Sequence, residues 1–249
     1  MGWYDRAEAY DILCGWDPRP ERDFVLGASE RFGVGPARRI LEPFCGSGRL
    51  LRAMPGLAVG FDKNPHMVRY ARGTGVRVFR ADAGRFAVRE GSFDLAHCLI
   101  DSFRYLLTEE AARAHLRGVA RALRPGGVYV LGMEVTGDLD PDATRDAWSG
   151  TRGGIRVDGE VTCLGDRAAR VETLRVRLVV RRGDRREEVE DFQPMRVYAR
   201  ADLLSLLAAE GSFEIAAAFK GRYDLGRPMP FERVAGSAVL VLRTARRGT

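Results

Sequence analysis

The sequence predicts an α/β fold: a doubly wound parallel sheet with an antiparallel sheet inserted after its fifth strand. Short apolar runs alternate with helix-periodic segments from residue 39 to residue 132, the pattern of a parallel sheet covered on both faces. A glycine-rich turn, Cys45-Gly46-Ser47-Gly48, follows the first of those runs. Residues 155–198 then change to period-two patterning, in IRVDGEVTCL, AARVETLRVRLVV and REEVEDFQPMRVY, before a helix and two apolar runs resume the alternation.

The opening 35 residues place aromatic and aliphatic side chains at helical spacing, interrupted at Asp17–Pro20, and read as two helices ahead of the sheet. Arg39–Glu42 is the first strand, Gly48–Met54 starts a helix, and Leu57–Phe61 is the second strand. Pro65 begins a helix over Pro65–Arg72, where its missing N–H costs nothing. Val76–Phe79 and Phe93–Leu99 are the third and fourth strands. Thr108 caps a helix that runs to Leu123, and Glu109 and Glu110 in its first turn complement the helix dipole. Arg124-Pro125-Gly126-Gly127 stops that helix and leads into the strand Val128–Gly132. About three inserted strands are expected, with RRGDR as the hairpin between the last two. Ala201–Glu210 is a closing helix, and Phe213–Phe219 and Ala238–Arg243 are closing strands. The expected organisation is one domain over 1–249, with a helical lid over 1–35, a core over 36–135, the inserted sheet over 150–199 and closing elements over 200–249.

The net charge of +6 and pI near 9.4 raise the question of a nucleic-acid surface. Lys63 and Lys220 are the only lysines among 40 basic residues, and Asn64 and Gln193 are the only side-chain amides. The arginines are dispersed among 34 acids, so they read as a compositional bias, and no nucleic-acid partner is expected. No apolar run reaches the ~20 residues of a membrane span, and no basic-then-apolar leader opens the chain. Cys14, Cys45, Cys98 and Cys163 are too widely spaced for a metal site, so no metal is expected, and reduced thiols in a cytoplasmic protein are.

The sharpest signal is ILEPFCGSGRLL, where a strand delivers Glu42 to its carboxyl end and glycines let a ligand approach the backbone. The spacing is neither a dinucleotide fingerprint nor a phosphate loop. Asp62 ends the second strand, where an acid can accept both hydroxyls of a ribose. Asp82 follows the third strand in FRADAGRF, Phe93-Asp94 announces the fourth, and LRPGGVYV follows in order. As an ordered set these motifs resemble the class I S-adenosylmethionine-dependent methyltransferases of small-molecule type, by motif over 36–135 and by element order over nearly the whole chain.

That resemblance implies a Rossmann-like sheet, an enzyme, S-adenosyl-L-methionine as cofactor and S-adenosyl-L-homocysteine as product. It places Gly46, Ser47, Gly48 and Arg49 along the methionine part, with Glu42 organising its amino group. Asp62 holds the ribose, Lys63 and Met67 pack near the adenine, Asp82 and Ala83 contact its edge, and the backbone at Cys98 and Leu99 approaches the methionyl group. Phe44 stands where many members carry their first glycine.

HCLIDSFRYL resembles the segment after the fourth strand in small-molecule members. There Asp101 is the one catalytic candidate, fixing an acceptor amine or taking its proton, while Arg104 grips a carboxylate and Tyr105 borders the acceptor. The competing reading has Asp101 and Ser102 capping a turn and Arg104 solvated. By the same resemblance Arg196 and Tyr198, in a Met-Arg-x-Tyr segment, face the substrate, and Tyr4, Tyr10 and Trp16 lid the site. His97 reads as core, His66 as packing beside the cofactor loop and His115 as surface. With no evident general base, an amine of a small molecule is the expected acceptor, with a hydroxyl next. A nucleic-acid methyltransferase is the first alternative, but Ile100-Asp101-Ser102-Phe103 stands where an Asn/Asp-Pro-Pro-aromatic run would be. A non-catalytic cofactor-binding scaffold is the second. Two uses of the inserted sheet stay open: covering the pocket, or pairing two copies as a homodimer.

Overall fold

A computed structural model of the chain describes residues 2–136, 145–166 and 170–245. The start of one expected inserted strand, Ala168-Ala169, lies outside the described residues. Strands β1 (Arg39–Pro43), β2 (Leu57–Asp62), β3 (Arg77–Arg80), β4 (Phe93–Cys98) and β5 (Leu123–Val135) run parallel in the order 3-2-1-4-5. The order reverses between β1 and β4, and the crevice at that switch, at the carboxyl ends of the strands, is where ligands bind in such sheets. Beyond β5 lie β12 (Gly236–Thr244), β10 (Phe213–Lys220) and the short β11 (Pro228–Met229), with β12 antiparallel to both β5 and β10.

The central strands are apolar through their middles because both faces are covered, with their charged residues toward the ends. Along β5, Tyr129, Leu131 and Met133 enter one core and Val128 and Val130 the other, the period-two division of a strand buried on both sides. Helices α4 (Glu109–Ala122) and α5 (Arg200–Glu210) cover the first face through Leu116, Val119, Leu203 and Leu206. Helix α2 (Arg19–Phe32) covers the second through Phe24, Val25 and Ala28. Helix α3 (Pro65–Gly73) starts as expected, with the Asn64 side chain accepting from the His66 and Met67 N–H groups at 2.8 and 3.1 Å. Thr108 caps α4 by accepting from the Ala111 N–H at 3.1 Å.

The inserted sheet has four strands rather than three: β6 (Arg145–Arg152), β7 (Ile155–Asp166), β8 (Val171–Arg182) and β9 (Arg185–Arg196). The extra edge strand, RDAWSGTR, shows no apolar alternation because only Trp148 turns toward the core, its indole donating to the Leu13 carbonyl at 3.0 Å. Helix α1 (Ala7–Leu13) lies directly on this sheet, where a methyl on Gly150 would collide with the Ile12 carbonyl and one on Gly159 with the Leu13 side chain. Two further expectations change. The helix expected from Gly48 is only a 3-10 turn over Leu51–Ala53, cut short by Pro55-Gly56. The opening helices also part company: α1 and the 3-10 turn Trp3–Asp5 reach the inserted sheet and α3, whereas α2 is a layer of the main sheet. Among the described residues no helix is long and apolar enough to cross a membrane.

Candidate active site

The turn after β1 sets the site. Phe44 occupies left-handed backbone at φ 56°, which explains the glycine preference there; Gly46 follows at φ 52° and Gly48 at φ 76°. The Gly46 N–H donates to Asp62 Oδ2 at 3.0 Å, and the Asn64 N–H donates to Asp62 Oδ1 at 2.8 Å. The strand-end acid is thereby fixed, with acceptor capacity left on its carboxylate. A Cβ on Gly46 would meet only Tyr10, at 3.7 Å.

Three neighbouring hollows lie along the strand ends. The first, about 40 Å³, is bordered by Asp62, Lys63, Asp82, Ala83, Phe44 and Tyr105 among others. The second, about 60 Å³, is bordered by Glu42, Gly46, Ser47, Arg49, Tyr10 and Leu99 among others, and shares Phe44 with the first. The third, about 300 Å³, is bordered by Glu21, Asp101, Glu134, Tyr223 and Ser237, and shares Trp16 and Ile100 with the second. Among the described residues five non-glycine residues have φ between 51° and 64°, and four of them, Phe44, Ile100, Asp101 and Tyr223, border these hollows, Arg170 being the other.

Glu42 has one carboxyl oxygen buried with no hydrogen-bond partner, and burial pushes its pKa up to about 8 against the opposing pull of Arg49. Arg49 itself is held by Glu21 at 2.6 Å and stacks on Trp16 at 4.7 Å. Burial also raises the Asp62 carboxyl, which the Asn64 and Gly46 N–H groups oppose. The opening segment closes over this region. Trp3 lies 4.6 Å from Tyr4 and 5.0 Å from Tyr10, and the Tyr4 and Tyr105 hydroxyls share a hydrogen bond of 2.5 Å. Asp11, 1% exposed, latches it: Ser47 Oγ at 2.6 Å, Arg52 and Arg152 at 2.7 Å and the Tyr70 hydroxyl at 3.0 Å all donate to its carboxylate. Burial works to raise Asp11, but these donors outweigh it and hold its pKa below the ordinary value.

Several expected residues sit elsewhere. Arg104 is neither solvated nor open: it is 3% exposed, pairs with Asp101 at 3.1 Å and with Glu172, and donates to the Arg196 carbonyl at 2.8 Å. Tyr198 is fully buried against Phe103, and Arg196 stacks over it at 4.9 Å, so neither borders a hollow. Met67 and Cys98 are buried and border none of the three, and Gly48 packs against Val76 and Ala71. His115 is not on the surface. It is wholly buried, Nδ1–H donating to the Ala83 carbonyl at 3.0 Å and Nε2 accepting from the Tyr129 hydroxyl at 2.9 Å, and burial lowers its pKa to about 4. His97 is core, pushed down to about 3 by burial. Glu21, Glu134, Tyr223 and Ser237 were not expected. Glu134 had a readable signal, being an acid at the carboxyl end of the fifth strand, as Glu42 and Asp62 are of theirs.

Residues 40–127 match a family model described as a methyltransferase domain. Over those residues the chain carries a methyltransferase domain. No curated protein matches it. Among solved structures, a S-adenosylmethionine-dependent methyltransferase from Clostridium acetobutylicum ATCC 824 is similar at 18% identity and TM-score 0.72, over 96% of this chain and 97% of that one. DesVI of Streptomyces venezuelae is similar at 19% identity and TM-score 0.74, over 94% and 92%. The sugar N-methyltransferase KedS8 from Streptoalloteichus sp ATCC 53650 is similar at 23% identity and TM-score 0.71, over 94% and 90%. These likenesses show the methyltransferase fold, and the cofactor of that class is S-adenosylmethionine. The methyltransferase's own residues fit such a group: an orphaned carboxyl oxygen on Glu42 for an ammonium, an open glycine turn, and a fixed carboxylate on Asp62 with lone pairs to spare for a diol.

Proposed function

We propose that this methyltransferase transfers the methyl group of S-adenosylmethionine to an amine nitrogen of a small molecule. The observation that carries this reading is the third hollow: it opens beside the methionine end of the site and is bordered by three carboxylates, Glu21, Asp101 and Glu134, with Trp16 and Tyr223 as aromatic walls and no lysine or histidine. Such a lining attracts a cationic amine and repels phosphate, which counts against a nucleic-acid acceptor. Two similar folds point the same way: KedS8 is a sugar N-methyltransferase, and CalS10 from Micromonospora echinaspora, 22% identical with TM-score 0.68 over 91% of this chain and 90% of that one, is an amino pentose methyltransferase.

When bound, the cofactor supplies a methyl group on an activated sulfonium leaving group. The protein's share is alignment and exclusion of water. In this reading Glu42 receives the amino group of the methionine part and the Gly46 turn lies along it. Asp62 accepts from the ribose hydroxyls, and Asp82 and Ala83 meet the adenine, Ala83 being held by buried His115. Tyr4, Tyr10 and Tyr105 shield the sulfonium, and the Asp11 latch keeps the opening segment in place.

Purified protein with methyl-labelled S-adenosylmethionine should transfer label to nitrogen in a panel of small primary amines, aminosugars included, and not to the matching alcohols or to RNA and DNA. Label on the alcohols alone, or on nucleic acid alone, overturns the amine reading.

A further inference from the structure

One carboxylate in the third hollow has no hydrogen-bond donor among the described residues. Glu21 accepts from the Trp16 indole at 3.0 Å and from Arg49 at 2.8 Å. Asp101 has both oxygens engaged, one by the Glu134 backbone N–H and the other by Arg104 at 3.1 Å. Glu172, across the same guanidinium, is held by Arg104. Glu134 differs: among the described residues no donor reaches its half-buried carboxylate.

The local charge is unbalanced in the same sense. Arg104 lies between Asp101 and Glu172, and Glu134 adds a third carboxylate that this one guanidinium does not contact. Glu21 from α2, Tyr223 from the β10–β11 loop and Ser237 from β12 are the other polar groups on this hollow. Burial and the nearby Asp101 carboxylate hold the Glu134 pKa above its ordinary value, so a cation placed there is stabilised by more than one acid. Trp16 and Tyr223 give an ammonium aromatic surface, and half-exposed Ile100 gives its carbon skeleton an apolar edge.

We propose that Glu134 holds the acceptor's ammonium group and takes its proton before methyl transfer. The inference rests on the amine reading above and narrows it to amines whose ammonium form carries an N–H, since a quaternary centre has neither proton nor lone pair to give. An N–H bond of the ammonium breaks and its proton passes to the Glu134 carboxylate. The freed nitrogen lone pair forms the N–CH3 bond as the S–CH3 bond breaks and its electron pair stays on sulfur. Glu134 then returns its proton to solvent through the open mouth of the hollow.

The test compares two probes of one shape, tyramine and the uncharged alcohol tyrosol, titrated into protein loaded with S-adenosylhomocysteine. Wild type should bind tyramine at least tenfold more tightly than tyrosol. Glu134→Gln should erase the difference and Glu134→Asp restore part of it, with thermal melting in S-adenosylhomocysteine confirming that both variants fold. For any amine that turns over, kcat/KM in wild type should fall as pH drops through a value above the ordinary carboxylate range. Glu134→Gln should lose that limb and about a hundredfold in rate. Equal binding of the two probes to wild type, no binding of either, or discrimination unchanged in Glu134→Gln overturns the proposal. Failure of S-adenosylhomocysteine itself to bind overturns the functional reading beneath it, and is read separately.

Discussion

Glu42, Gly46, Asp62 and Asp82, which border the two smaller hollows proposed to take the nucleoside and methionine ends of the cofactor, come from the ends of adjacent strands between residues 42 and 82. Trp16, Glu21, Asp101, Glu134, Tyr223 and Ser237, which border the third hollow proposed for the acceptor, are scattered from residue 16 to residue 237. The cofactor half is a property of strand order, since a parallel sheet with a switch point puts strand-end residues in one crevice whatever surrounds it. The acceptor half depends on how the opening segment, the β4 turn and the Tyr223 loop land on that crevice. It follows that one half can be shared among distant relatives while the other sets what each of them methylates.

Arg104 offers the largest way to break this comparison, because it borders neither half and holds the acceptor half in place. Arg104→Met leaves Asp101 and Glu172 without their cation and should cost about 3 kcal/mol of stability in urea unfolding, the low end for breaking a buried pair because both carboxylates keep some contact with water. The folded fraction should still bind S-adenosylhomocysteine normally. Normal stability with lost acceptor binding would restore Arg104 as a ligand contact. Asp62→Ala acts on the other half alone. Losing two hydrogen bonds to a charged acceptor should weaken cofactor binding by about a hundredfold in calorimetry, with little change in tyramine-over-tyrosol discrimination. Wild-type affinity in that variant would remove Asp62 from the ribose.

The same contrast shows what was legible in the sequence. The alternation of strands and helices, the start of α3 at Pro65, the Thr108 cap and the strand-end acids were readable because each depends on neighbours in the chain. The surroundings of Arg104 and Tyr198 were not readable because side-chain direction after β4 and β9 is fixed by partners far away, Glu172 and Phe103. His115 looked solvated on a polar helix, yet its partners, Ala83 and Tyr129, lie on another loop and on the sheet beneath. The fourth inserted strand carried no alternation because α1 covers it through a single tryptophan. Glu134 was overlooked although the rule that singled out Glu42 and Asp62 applied to it.

The central claim is that the turn after β1 holds S-adenosylmethionine with Glu42 facing its amino group. Titration of S-adenosylhomocysteine, run in two buffers of different ionisation enthalpy between pH 6 and 9, tests it most directly. The Glu42 carboxyl, raised by burial to about 8, is protonated in the free protein below that pH and must ionise to meet an ammonium. Binding of one ligand per chain should therefore release a proton below about pH 8 and tighten as pH rises toward it. Glu42→Gln should remove the proton release and about tenfold of the affinity. No binding at any pH, or binding with the same proton count in wild type and Glu42→Gln, would contradict the account.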